Sequence, residues 1–220
     1  MDRGLYAQEK KIETCQKIIG VATELFSCNS YDVVTMRDVA KKAEISLALL
    51  SYHFETKKNL YLCCLLYKIP DIERWRSDIM QRVDKDPSLE KYVKSFFLPC
   101  IELVKNADIA GKHYLSLLCR VSKECKDIAS EAKRCIKFQV TDIYYQRFKQ
   151  YMGDISDEDF SWLTHIAHVM LYCSLAKCNS QLDQVAQKWN ALLNDSPELI
   201  LEMVTLAYLR IIHKYAPSSN

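Results

Sequence analysis

Residues 35–54 read TMRDVAKKAEISLALLSYHF, and this stretch decides the fold. Thr35 with Asp38 three residues later has the spacing of a capping box, so a helix begins at Met36. Val39, Ala40 and Ala43 then share one face and read as buried, and the helix ends near residue 43. Ser46 is a natural N-cap for a second short helix from Leu47 to His53. Ala40 is small enough for the two helices to cross closely. Ile45 plugs the turn, and Leu49 and Leu50 are expected to bury the inner face of the second helix. Leu47, Ala48, Ser51 and Tyr52 are left on the outside. This pattern predicts a helix-turn-helix, whose second helix fits the major groove of DNA while the first crosses the backbone.

Outward from that stretch the chain reads as helices with short polar joints. Upstream, Ile12, Cys15, Ile18, Ile19, Ala22, Leu25 and Phe26 follow the rhythm of a helix over 9–28 that buries one face. Downstream, Thr56 caps a fourth helix from Lys57 to about Ile69, with Pro70 as its stop. Longer helices are expected near 71–83, 88–106, 111–123, 126–152, 157–177, 181–193 and 197–215. Asp86-Pro87 and Ser196-Pro197 mark two of the starts, and Ser156 with Asp159 is another capping-box match. Pro99 inside a helical pattern predicts a kink. The contrast in helix length divides the chain near residue 60, into a DNA-binding domain over 1–60 and a helical body over 61–220.

Composition supports an all-α fold. The 220 residues hold only 4 Gly and 5 Pro, too few for the turns of an all-β protein. No apolar run reaches the roughly 18–20 residues of a membrane span. The polar start leading into Lys10-Lys11 does not read as a secretory signal. A net charge of +2 points to no particular partner. The 10 Cys form no Cys-x-x-Cys pair, so we expect reduced thiols that mostly pack as small hydrophobes, with thiol sensing as the alternative.

The first 60 residues resemble the DNA-binding domain of TetR-family regulators. The likeness is carried by Ala22-Thr23-Glu24-Leu25-Phe26, Tyr31, Thr35 to Ala43, Ile45-Ser46, Tyr52-His53-Phe54, Lys57 and Leu60. The resemblance implies a homodimer that binds a palindromic operator, and a C-terminal body that takes a small-molecule inducer and dimerises. It implies that Thr35 holds a phosphate, that Arg37 reaches a base or phosphate, and that Ser46, Leu47, Ala48, Ser51 and Tyr52 form the reading surface. His53 and Lys57 would grip phosphates on either side. Two departures stand out. Glu44 replaces the usual glycine of the turn, at a cost of roughly 1 kcal/mol if φ is positive there. Apolar Leu47 and Ala48 can touch thymine methyls but cannot read guanine.

Lys57 and Lys58 lie in the first turn of a helix, where the dipole disfavours cations, so an anion docked there would relieve them. Residues 1–58 hold nine Lys/Arg against eight Asp/Glu, so any phosphate contacts come from local placement. In the body, Phe96, Cys100, His113, Leu117, Phe138, Tyr145 and His168 are candidate pocket residues, and the Ser95 carbonyl, robbed of its donor by Pro99, is a candidate ligand contact. Phe160, Leu163, Ala167, Met170, Leu171, Ile200, Met203, Val204, Ala207 and Ile211 are candidates for a dimer interface. His165 and His168 have metal-ligand spacing, but nothing completes a set, and no metal or cofactor is expected. No enzyme signature stands out. The competing reading is a helical interaction protein that kept the fold without specific DNA binding.

Overall fold

The computed structural model describes residues 3–106, 108–121, 124, 126–135, 139–152, 156, 158, 160, 164, 167, 171 and 197–215. Its secondary structure over these residues is helical: α1 Arg3–Cys28, α2 Met36–Lys42, α3 Leu47–Phe54, α4 Lys57–Leu66, α5 Ile69–Val83, α6 Leu89–Asn106, α7 Asp108–Val121, α8 Lys126–Cys135, α9 Gln139–Met152 and α10 Pro197–Tyr215. Residues 158, 160, 164, 167 and 171 are also helical, within the expected helix 157–177. The expected helix 181–193 lies outside the described residues.

The local rules account for most boundaries. Thr35 and Asp38 form a reciprocal capping box at α2, and Ser46 and Thr56 cap α3 and α4 by accepting from Leu49 and Asn59 backbone N–H groups at 3.1 Å each. One expectation is corrected. Pro70 does not stop α4, which ends at Leu66; it occupies the first turn of α5, where its missing N–H has no intrahelical partner to lose. Helix α1 also starts earlier than the periodicity suggests. Its Ile12 is 54% exposed, so the apolar rhythm there runs past the end of the core.

Two apolar cores result. The first gathers Ile18, Ala22 and Phe26 of α1, Val39 and Ala40 of α2, Leu50 and Phe54 of α3, and Leu60, Tyr61, Cys64 and Leu65 of α4. It does not close at residue 60. Leu117 and Val121 of α7 and Ile128 and Ala132 of α8 complete it. The second core fills the body with Phe96, Phe97, Cys100 and Ile101 of α6, Tyr114 and Leu115 of α7, Tyr144 and Phe148 of α9, and Ile200, Val204, Tyr208 and Ile212 of α10. Leu118 packs against both. No described helix is long and apolar enough to cross a membrane.

Candidate nucleic-acid interface

The reading helix is held from behind and open in front. Leu50 is fully buried and Phe54 nearly so, and they anchor α3 to the first core. Ala48 and Ser51 are exposed, as are Leu47 at 39% and Tyr52 at 71%. Leu49 is the exception to the sequence reading. It is 38% exposed, because an eight-residue helix lying on one core face buries every third or fourth residue, and Leu50 with Phe54 already fills that face.

The two turns that frame α3 are strained, each by a glutamate. The α2–α3 turn is a Schellman motif: the Ile45 N–H donates to the Ala40 carbonyl at 3.0 Å and the Glu44 N–H to the Lys41 carbonyl at 3.2 Å. Its left-handed position is Glu44, with φ 56°, so the turn does require the conformation that glycine adopts freely. Glu55 has φ 57° and ψ −57° and is spanned by a hydrogen bond from the Thr56 N–H to the Phe54 carbonyl. This is a γ-turn of the rare, positive-φ kind. No sequence signal announced it.

At the start of α2 the Thr35 hydroxyl donates to the Asp38 carboxylate at 2.6 Å and accepts from the Asp38 N–H at 3.2 Å. These contacts, the side-chain hydrogen bond above all and then the Thr35 backbone N–H, hold the Asp38 carboxyl below its ordinary value. The proton expected to face a phosphate is thus given to a carboxylate. Arg37, beside it, is exposed.

The basic residues beyond α3 are engaged within the chain. Lys57 donates from Nζ to the Tyr31 carbonyl at 2.9 Å and lies 4.3 Å from the Tyr31 ring centroid. Lys58 is ion-paired with Glu131 of α8, and that hydrogen bond raises the lysine and lowers the glutamate from their ordinary values. The strain argued from two cations at a helix start is therefore met by the protein's own acceptors. His53 is half-buried, with Nδ1 3.3 Å from Cys15 Sγ. The Tyr31 loop is also tied to the body, since the Tyr31 N–H donates to the Glu124 carboxylate at 3.1 Å. Glu124 and Glu131 carry no sequence signal for this role, because a pair set more than 70 residues apart has no spacing rule.

The candidate pocket residues do not converge. Phe96 and Cys100 lie in the body core, while Leu117, from the other side of α7, belongs to the first core. His113 lines a cleft of about 320 Å³ with Gly20, Thr23, Glu24, Tyr67 and Ala110, between α1 and α7. Tyr145 packs against Phe160 at 4.4 Å between ring centroids, the planes tilted by 49°. Phe138 and His168 lie outside the described residues, as does His165. Pro99 does sit inside α6. Beside it, buried Arg76 of α5 donates from Nε to the Phe96 carbonyl at 3.2 Å and packs 4.2 Å from the Phe96 ring. Ser95 Oγ accepts from the Tyr144 hydroxyl at 2.9 Å. A charged residue on a helix reads as solvent-facing, so Arg76 was not legible as core. Among the described residues no cluster of three His, Cys, Asp or Glu could hold a metal.

The candidate interface residues divide in the same way. Phe160, Ala167, Leu171, Ile200 and Val204 are buried in the protomer's own core, Ala207 and Ile211 are half-buried, and Met203 is 52% exposed. Leu163 and Met170 lie outside the described residues. The outward apolar stripe of α10 is Leu199, Met203 and Leu206, exposed by 42%, 52% and 61%.

The family described as bacterial regulatory proteins, tetR family, matches residues 18–63 through its N-terminal module. The HTH-type transcriptional regulator QacR of Staphylococcus aureus is 50% identical over 46 residues, 21% of this chain and 24% of that protein. The biofilm operon icaADBC HTH-type negative transcriptional regulator IcaR of Staphylococcus aureus is 46% identical over 55 residues, 23% of this chain and 30% of that protein. The chain thus matches about a quarter to a third of the length of these curated relatives. Among solved structures, a protein described as a tetR family transcription regulator from Shewanella has a TM-score of 0.57 at 12% identity, over 86% of this chain and 95% of its own. One from Rhodococcus has a TM-score of 0.54 at 14% identity, over 86% and 98%. At those identities the likeness is one of fold.

Proposed function

We propose that this chain, whose residues 18–63 match the N-terminal module of the tetR family of bacterial regulatory proteins, is a cytoplasmic transcriptional repressor of that family and not an enzyme. It binds a palindromic operator as a homodimer and is released by a small-molecule inducer. The observation that carries this reading is the presentation of α3: Leu50 and Phe54 clamp it, while Leu47, Ala48, Ser51 and Tyr52 stand clear, with Arg37 alongside and Ser46 at the cap. A helix so mounted suits entry into a major groove, with phosphate contacts from the backbone N–H groups of the first turn of α2, since the Thr35 hydroxyl and N–H both serve Asp38. His53 and Lys57 brace this surface, through Cys15 and the Tyr31 loop. The stripe Leu199, Met203 and Leu206 on α10 is the apolar surface available for pairing two copies, and two copies are what a palindrome needs. A body whose described aromatic side chains pack tightly suits an apolar or aromatic inducer.

The test is a pull-down of genomic fragments with the purified protein. A palindromic site is expected to be enriched, with affinity that falls steeply as salt rises. Light scattering is expected to give twice the 25.6 kDa protomer mass. The internal pairing of Lys57 and Lys58 favours the second reading, a helical interaction protein without DNA binding. Absence of any enriched site would establish that one instead.

A further inference from the structure

Behind α3 lies a pair of side chains with a chemistry of its own. Cys15 of α1 and His53 of α3 meet at 3.3 Å, Sγ to Nδ1, and both are half-buried, so a small molecule has access. Cys63 of α4 is close by. Its thiol is raised above the ordinary value by burial first, and then by the charge of Cys15. Three other cysteines sit differently. Cys64 and Cys100 are fully buried, and burial pushes the Cys64 thiol up to about 12. Cys28 is exposed, with the Ser27 hydroxyl 3.6 Å from its sulfur. Cys15 combines access with a base.

We propose that the Cys15–His53 pair is a covalent modification site for soft electrophiles of the α,β-unsaturated carbonyl class, and that the adduct displaces the reading helix. The neutral imidazole tautomer with its proton on Nε2 leaves the Nδ1 lone pair free to take the Cys15 proton. As that S–H bond breaks, sulfur adds to the β-carbon of the electrophile and a C–S bond forms. The C=C π pair moves onto the α-carbon and carbonyl as an enolate. His53 returns the proton to the α-carbon. No group leaves and no oxidant or reductant is needed, so the sum is one thiol plus one alkene giving one thioether. The new bulk falls between α1 and α3, beside the core that Ile18, Ala22, Leu50 and Phe54 share. Helix α3 is the shorter of the two, eight residues against 26, and is framed by the strained Glu44 and Glu55 turns.

The chemistry rests on the pair alone; its effect on DNA rests on the regulator reading. The test treats the full chain with N-ethylmaleimide for timed intervals and maps the adducts by peptide mass spectrometry, with Cys28 as the internal reference. Cys15 is expected to label at least about tenfold faster than the more exposed Cys28, a modest share of what a positioned base supplies. His53→Gln, checked for its helical circular dichroism, is expected to remove that advantage, while Cys63→Ser keeps it. Equal or slower labelling of Cys15 in the native chain overturns the site. In a second arm, maleimide-treated protein is expected to bind the enriched duplex about tenfold more weakly, as overpacking predicts, and treated Cys15→Ser to bind as before. An adduct on Cys15 with unchanged affinity overturns the switch. Untreated protein that binds no DNA refutes the regulator reading, and the labelling arm still decides the site.

Discussion

The N-terminal module and the helical body are built from the same kind of element but specified differently. In the module, α2, α3 and α4 each start at a side chain that acts three residues ahead: Thr35 on Asp38, Ser46 on Leu49, Thr56 on Asn59. Position then follows from sequence. In the body, helices meet partners far along the chain, as when Arg76 reaches Phe96 and Thr164 pairs with Tyr208. Periodicity there says that a face is buried but not against what. Local rules thus make the outer face of α3 readable, and long-range packing leaves the contacts of the body unread.

The largest expected effect tests the body. Arg76 is 1% exposed, paired with Glu73 at 3.2 Å and bonded to the Phe96 carbonyl. Arg76→Ala is expected to cost about 3 kcal/mol by urea unfolding, because it removes packing and strands that carbonyl and carboxylate together. A loss under about 1 kcal/mol would mean that the guanidinium contributes nothing there beyond a surface ion pair. In the module, Leu50→Ala is expected to cost about 2–4 kcal/mol and Leu49→Ala under 1 kcal/mol. Equal losses would restore the expectation that both leucines face inward.

That pair of leucines shows where legibility ended. The capping residues, the turn and the outer face of α3 were readable because each depends on neighbours in sequence. Leu49 was misassigned because hydrophobicity alone placed it inside, on a helix too short to show which apolar residue wins the core. Leu117 went astray for a related reason. It suits an interior, but α7 faces two interiors and the sequence does not say which. On α10 the inward Ile200 and Val204 and the outward Met203 are equally apolar, so one list mixed two faces.

On the recognition surface, Tyr52→Ala with Arg37→Ala is expected to weaken operator binding by about 2 kcal/mol, measured by fluorescence anisotropy, with no change in thermal midpoint. Unchanged affinity would remove both from the contact set. The tie between module and body gives a pH prediction. The Glu131 carboxyl is held below its ordinary value by Lys58, so the pairing is intact above the unfolded carboxylate pKa and is lost as pH falls through the lowered folded value. Glu131→Gln is expected to flatten that acid limb of the stability profile and to steepen the salt dependence of DNA binding by about one phosphate contact, as Lys58 is released. The smallest effect is a gain. Glu44→Gly, at φ 56°, is expected to raise stability by up to about 1 kcal/mol in thermal unfolding.

Helix α7 contributes Tyr114 and Leu115 to one apolar centre and Leu117 and Val121 to the other, with Leu118 between them. A single rod therefore serves as a common strut. Cutting the chain after residue 60 would bare the patch it covers, so the N-terminal module is no detachable cartridge. Any chimera that transplants it must bring the docking side of that rod along, and calorimetry of the intact chain should register a single melting event.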